Sequence, residues 1–290
     1  MSEITLINKI NIDDVPSMPQ VATEIMRLVG DPDSNASQIA KVIAQDQSMT
    51  ARILQVANSP FYGRSKSVNT VQDAVVLIGY PAVKGLVISS STRHIMKNPG
   101  LLEALLWDHS IGAAFAAHEI ARATKRLDPD EAFTAGLLHD IGRVVMSAMS
   151  RDRYVRVMKE VYNANAGPSE ILAEEEKVYG YSHPDLGSLI AQKWRLSEDL
   201  RIAVQYHHVT EQALKQSSEA EQYGSETALI VCLANLFQYR LGIGIRMPIE
   251  FDVSEHIAAT LLKLQPGRIN QMLLNVKKTF DEQKKHFEII

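Results

Sequence analysis

The chain has 290 residues, 46% hydrophobic and 22% charged, enough apolar matter for a large core and the charge of an ordinary globular protein. A single cysteine, Cys232, excludes an internal disulfide, and a formal net charge of −4 lacks the basic surplus usual in nucleic-acid binders. The start, MSEITLINKINIDDVPSMPQ, has neither the basic end nor the apolar run of a signal peptide, and no apolar stretch reaches the roughly 18 residues of a membrane span, so a cytoplasmic chain is expected.

Helical periodicity dominates from the first element. In MPQVATEIMRLVG, Val21, Ile25, Leu28 and Val29 share a face, and Gly30 and Pro32 close the helix. SNASQIAKVIAQD repeats the pattern with Ile39, Val42 and Ile43, and SMTARILQVANS with Met49, Ile53 and Val56. TVQDAVVLIGYPAVKGLVISSS predicts two more helices, the second opened by Pro81, which gives about five helices in the first hundred residues. Segment 60–97 is mildly basic, with Arg64, Lys66, Lys84, Arg93 and Lys97 against Asp73, as a solvated face would be. In NSPFYGRSKSV, Gly63 makes a turn and Phe61 and Tyr62 are expected to dock into the core.

The breaker KNPG, Lys97 to Gly100, marks the expected boundary between an N-terminal unit, 1–100, and a second unit, 101–290. In LLEALLWDHSIGAAFAAHEIARATKRL, Gly112, Ala113, Ala116 and Ala117 form a small-residue face suited to close helix packing. PDEAFTAGLLHDIGRVVMSAM, with Pro129 near its start, reads as one helix carrying His139-Asp140 in apolar surroundings. DRYVRVMKEVYNAN runs to Gly167-Pro168, and SEILAEEEKVYG follows. Ser182 caps SHPDLGSLIAQKWRL, with Pro184 in its first turn, and Ser197 caps SEDLRIAVQYHH. Polar residues 211–226 read as a loop, TALIVCLANLFQYRLG as an apolar helix ended by Gly242, and amphipathic helices close the chain. Period-two alternation is absent, so the fold class is all-α.

Nine histidines are present. His94, His118, His256 and His286 read as ordinary core or surface residues. The others form a pattern: His109, then His139-Asp140, then His183, then His207-His208, on four helical segments. Neutral imidazole and carboxylate are ligands for Zn, Fe or Mn, and one helix rarely supplies more than two. A charged pair in an apolar helix is costly unless compensated, so convergence on one point is expected.

The residues WDHS…GLLHDIGR…YSHPDLG…YHH…CLAN resemble the HD phosphohydrolase superfamily. The segments DQSMTARILQVANSPFYG and VQDAVVLIG are similar to its HDOD branch, the HD-related output domain, over roughly residues 12–240. The resemblance implies an N-terminal helical bundle packed on an HD-like bundle. It implies a stand-alone bacterial signal-transduction output or scaffold module that works through signalling proteins without turnover. It makes His109 the first superfamily histidine and His139-Asp140 the HD pair. His183, His207 and His208 match the extra ligands of the HD-GYP relatives, which hydrolyse cyclic-di-GMP. One or two divalent transition metals (Fe, Mn or Zn) are the implied cofactors. Three departures count against catalysis. Asn235 stands where the superfamily has its last aspartate, no GYP loop follows the HD pair, and Arg143 takes the lysine position, keeping a charge for phosphate but not the geometry. The alternative is a metal-dependent phosphohydrolase acting on a nucleotide or cyclic dinucleotide. A third reading takes ASQIAKVIAQDQSMTARILQVANS as a helix-turn-helix. Against it, Met49, Ile53 and Val56 give the would-be reading helix a core face, and only Lys41 and Arg52 are basic.

Overall fold

The computed structural model describes residues 10, 15–63, 67–93, 100–163, 167–217, 219–245 and 247–287. Among these, every regular element is helical, as the periodicity predicts. In order they are α1 Gln20–Val29, α2 Ala36–Ile43, α3 Gln47–Ala57, α4 Val71–Ile78, α5 Tyr80–Arg93, α6 Leu101–Thr124, α7 Pro129–Leu138, α8 Ile141–Met149 and α9 Arg151–Asn163. There follow α10 Pro168–Tyr179, α11 His183–Lys193, α12 Glu198–Tyr206, α13 Glu211–Gln216, α14 Ala220–Tyr223, α15 Glu226–Leu241, α16 Ile257–Leu261 and α17 Pro266–Phe287. Among the described residues five helices precede residue 100, and Ser182, Ser197 and Gly242 sit at the helix ends assigned to them. His94, Arg64, Lys66 and Lys97 to Pro99 lie outside the described residues.

The long α6 is the axis. Its small-residue face lets α7 approach until a Cβ on Gly136 would lie 2.6 Å from the Ala113 carbonyl oxygen. Three apolar clusters are arranged around α6 and α7. One joins Ile25, Ile39, Ile53 and Ile78 of α1–α4 to Phe115, Phe133, Phe280 and Phe287. A second joins Leu106 and Leu138 to Tyr154, Leu189 and Val204. The third packs Ala116 and Ile120 on Leu233, Phe237 and Met272. The first cluster thus mixes residues from before and after position 100. Phe61 docks among Phe115, Phe133 and Phe287, with Gly63 left-handed at φ 64°, as the turn required.

Two sequence expectations are corrected. The polar stretch 211–226 forms the short helices α13 and α14, each leaving no residue fully buried; local capping by Thr210 suffices where no apolar stripe is available to signal a helix. Residues 129–149 are two helices, and His139-Asp140 occupies the break between them. His139 Nδ1 donates to the Gly136 carbonyl at 2.7 Å, the acceptor Asp140 N–H would take in an unbroken helix. Asp140 leaves helical geometry at φ −97°, ψ 20°. Consecutive side chains diverge by about 100° in a continuous helix; the break lets these two face one point.

Met49, Ile53 and Val56 of α3 are all buried, and Arg52 is buried with them over the Trp107 ring, donating to the Phe287 carbonyl. The helix that could have read DNA has its core face occupied and its arginine engaged inside. No single helix among the described residues is long and apolar enough to cross a membrane. The pair α4–α5 meets that test only when joined across a 111° bend.

Candidate metal centre

Each sequence-predicted ligand comes from a helix end or a buried helix face. His109 lies inside α6, His139 ends α7, Asp140 begins α8, His183 begins α11, His207 ends α12 with His208 next to it, and Asn235 lies inside α15. His109, His139, Asp140, His183, His207 and Asn235 are buried, and His208 is half-buried. Glycine makes the approach possible: a Cβ on Gly142 would overlap the His183 carbonyl oxygen.

Asp140 is the hub. Its Oδ2 lies 2.9 Å from Arg143 Nη1, 3.5 Å from His109 Nε2 and 3.6 Å from His139 Nε2. Its Oδ1 lies 3.2 Å from His183 Nε2 and 3.6 Å from His207 Nε2. His183 Nε2 is in turn 3.1 Å from His208 Nε2 and 3.3 Å from His207 Nε2. Two groups of three potential ligands result, His109–His139–Asp140 and His183–His207–His208.

Partners behind the rings set their tautomers. His139 Nδ1 donates to Gly136 O, His207 Nδ1 to Val204 O at 2.9 Å, and His183 Nδ1 to Glu175 Oε2 at 2.6 Å. Each therefore turns Nε2 inward, the arrangement typical of metal-binding histidines. His139 Nε2 has no hydrogen-bond partner although it is buried. An orphaned ring nitrogen beside a carboxylate, with three Nε2 atoms crowded together nearby, is a donor set that fits a divalent cation.

Sequence reasoning missed the support. Glu175 is fully buried and accepts from the His183 N–H at 2.8 Å as well as from its ring. Tyr154 donates to Glu175 Oε1 at 2.8 Å, Arg143 Nε donates to Tyr154 Oη at 2.9 Å, and Arg143 Nη1 returns to Asp140. Asp140, Arg143, Tyr154, Glu175 and His183 thus close a buried ring of polar groups. One signal was present: Glu175 stands four residues after Ile171, on the core face of α10, where a carboxylate needs a partner.

Charge follows from this ring. Burial alone would raise the Asp140 carboxyl, but His139, Arg143 and His183 hold it well below its ordinary value. Burial would lower His183, yet Glu175 and Asp140 push it up to about 9. Burial drives His109 down to about 3 and takes His139, His207 and His208 below the ordinary histidine value. Four neutral imidazoles and one charged one surround Asp140 at neutral pH.

Two features differ from a full metal centre. Asn235 Oδ1 accepts from His109 Nε2 at 2.9 Å, which uses as a proton donor the nitrogen that faces Asp140. Arg143 is 2% exposed, and its third nitrogen donates to the Met158 sulfur at 3.4 Å. The phosphate-binding role expected of Arg143 therefore meets a guanidinium spent on internal partners.

The HDOD domain profile matches residues 15–210, two thirds of the chain. This protein belongs to the HDOD family. The structure of an HDOD domain protein of unknown function from Geobacter sulfurreducens superposes with a TM-score of 0.72 at 24% identity, covering 92% of this chain and 93% of that one. A candidate phosphohydrolase from Shewanella amazonensis SB2B gives 0.71 at 23%, covering 98% of both chains. A candidate signal-transduction protein from Marinobacter aquaeolei VT8 gives 0.72 at 19%, covering 93% of this chain and 58% of that one. These likenesses establish the fold. An uncharacterized protein of Treponema pallidum (strain Nichols) is 26% identical over 199 residues, 68% of this HDOD chain, which spans only 38% of the length of that relative.

Proposed function

We propose that this chain is a bacterial, cytoplasmic signal-transduction module on a degenerate HD fold, which acts through protein partners and does not turn over a phosphoester. The carrying observation is the Arg143–Asp140 contact at 2.9 Å, inside a pocket whose last superfamily aspartate is Asn235. In a hydrolytic centre Asp140 would offer its oxygens to metal; here a fixed cation already compensates one of them, and Asn235 brings no charge to replace it. The other half of the cluster remains suited to a metal. His183, His207 and His208 would hold one divalent transition ion (Fe, Mn or Zn), with Glu175 orienting His183. Such an ion, when bound, would supply a local positive charge and acidify a water. We assign Arg143 the part of internal counter-ion and keep 1–100 and 101–290 as the two units, with the histidine cluster in the second.

The assay is direct. Protein purified without chelators is expected to carry no more than one transition metal per chain by elemental analysis. Supplied with Mn or Fe(II), it is expected to leave cyclic-di-GMP and simple phosphodiesters intact. Two metals per chain with robust turnover would refute the reading and restore the phosphohydrolase alternative, which rests on the six ligand-type positions still filled.

A further inference from the structure

Away from the histidines, a cavity of about 290 Å³ opens between the N-terminal helices and the rest of the fold. Lys84 of α5, Glu131 of α7, Asp199 and Leu200 of α12 and Thr227 of α15 line it, with Val29 and Tyr80 as apolar wall. Lys84 is half-buried and, among the described residues, makes no hydrogen bond or ion pair. Burial lowers its pKa and outweighs the opposing pull of Glu131 and Asp199. Thr227 is 7% exposed, and its hydroxyl has no partner among the described residues. Helix α12 starts at Ser197, whose side chain forms no cap, leaving first-turn amides beside the cavity without a side-chain acceptor.

We propose that this cavity binds an apolar α-amino acid. The carboxylate takes Lys84, the Thr227 hydroxyl and the start of α12. The ammonium takes Glu131 and Asp199, and the side chain lies against Val29, Tyr80 and Leu200. The charge pattern selects this class. A lysine, a free hydroxyl and a helix start favour an oxyanion, but two carboxylates on the rim repel a phosphate dianion and reward a ligand that also carries a positive group. The volume lies at the small end of ligand pockets, roughly 300–1,000 Å³, which suits an amino acid and excludes a dinucleotide.

The position has a consequence for the metal centre. The cavity touches Glu131 near the start of α7 and Asp199 near the start of α12, and the far ends of those two helices carry His139-Asp140 and His207-His208. An occupant would tie together the starts of the two helices that present half of the cluster. The binding proposal does not depend on a metal being there.

Calorimetric titration of the full chain tests it, with L-leucine and L-phenylalanine as probes and N-acetyl-L-leucine and phenyl phosphate as contrasts. Saturable one-to-one binding of either amino acid is expected, at least roughly tenfold weaker in Lys84→Met, since a charge-assisted hydrogen bond is lost. Glu131→Gln, at an exposed rim position, is expected to weaken the amino acid but not its N-acetyl derivative. Absence of saturable binding at millimolar concentration overturns the proposal. So does unchanged affinity in folded Lys84→Met, or phenyl phosphate binding as tightly as the amino acids, which would make this a phosphate site.

Discussion

Replacing Asn235 with aspartate tests the centre of the molecule with one atom changed in kind. Asn235 Oδ1 is 2.9 Å from His109 Nε2, which is 3.5 Å from Asp140 Oδ2. A carboxylate at 235 therefore lies within about 6 Å of Asp140, and two unit charges at that distance repel by about 3 kcal/mol at an effective dielectric of about 20. In the wild type burial takes His109 down to about 3, so the ring brings no charge to Asp140 at pH 8. Without metal, Asn235→Asp is expected to lose about 3 kcal/mol, or roughly 5–10 °C in melting temperature for a chain of this size. With Mn or Zn the loss is expected to be largely restored: an anionic oxygen holds a dication more strongly than an amide does, and saturation at about 100 times Kd adds back about 2.7 kcal/mol. The assay is a pair of melting curves at pH 8, one with EDTA and one with metal, for wild type and variant. Wild-type behaviour under both conditions would refute the placement of residue 235 beside the Asp140 charge. Loss of stability under both, with no response to metal, would refute the cation site.

Other expectations follow from the polar groups around that centre. Glu175→Ala removes the main partner of buried His183, and the cost of breaking a buried pair, about 3–5 kcal/mol, is expected in urea denaturation; a change under 1 kcal/mol would mean that the ring is not formed in solution. Glu103 accepts from Arg151 Nε at 2.9 Å and from the Gly100 N–H at 2.7 Å; burial would raise its pKa, but these bonds hold it below its ordinary value. With a depressed folded value, its contribution is present above the unfolded value of about 4.3 and is lost as pH falls through the folded one. Glu103→Gln should thus flatten the stability curve below about pH 4.3, and equal acid slopes in variant and wild type would contradict this. Burial pushes the Cys232 thiol up to about 12, so thiol reagents at pH 8 should modify it only as fast as the chain unfolds; rapid labelling of native protein would place Cys232 at the surface.

The sequence by itself determined whatever rests on neighbours a few residues apart. The core faces at Met49, Ile53 and Val56, the cap at Ser182 and the stop at Gly242 are local consequences of a 3.6-residue period and of backbone chemistry, so they were legible without a fold. The set His109, His139, Asp140, His183, His207 and His208 was legible as residue types on helical segments, and so was the departure at Asn235. Only the tertiary structure decided where those residues face. The break at His139-Asp140 exists because Gly136, Arg143 and the neighbouring helices offer better partners than helix continuation. Arg143 reads as a phosphate ligand until Asp140 and Tyr154 draw it inward, and Glu175 reads as one acid among three until His183 arrives on it from the next helix. The bond between His109 and Asn235 spans 126 positions. No periodicity reaches that far. Burial turns an ordinary acidic or basic side chain into a group that must be paired, and burial is a property of the packed helices.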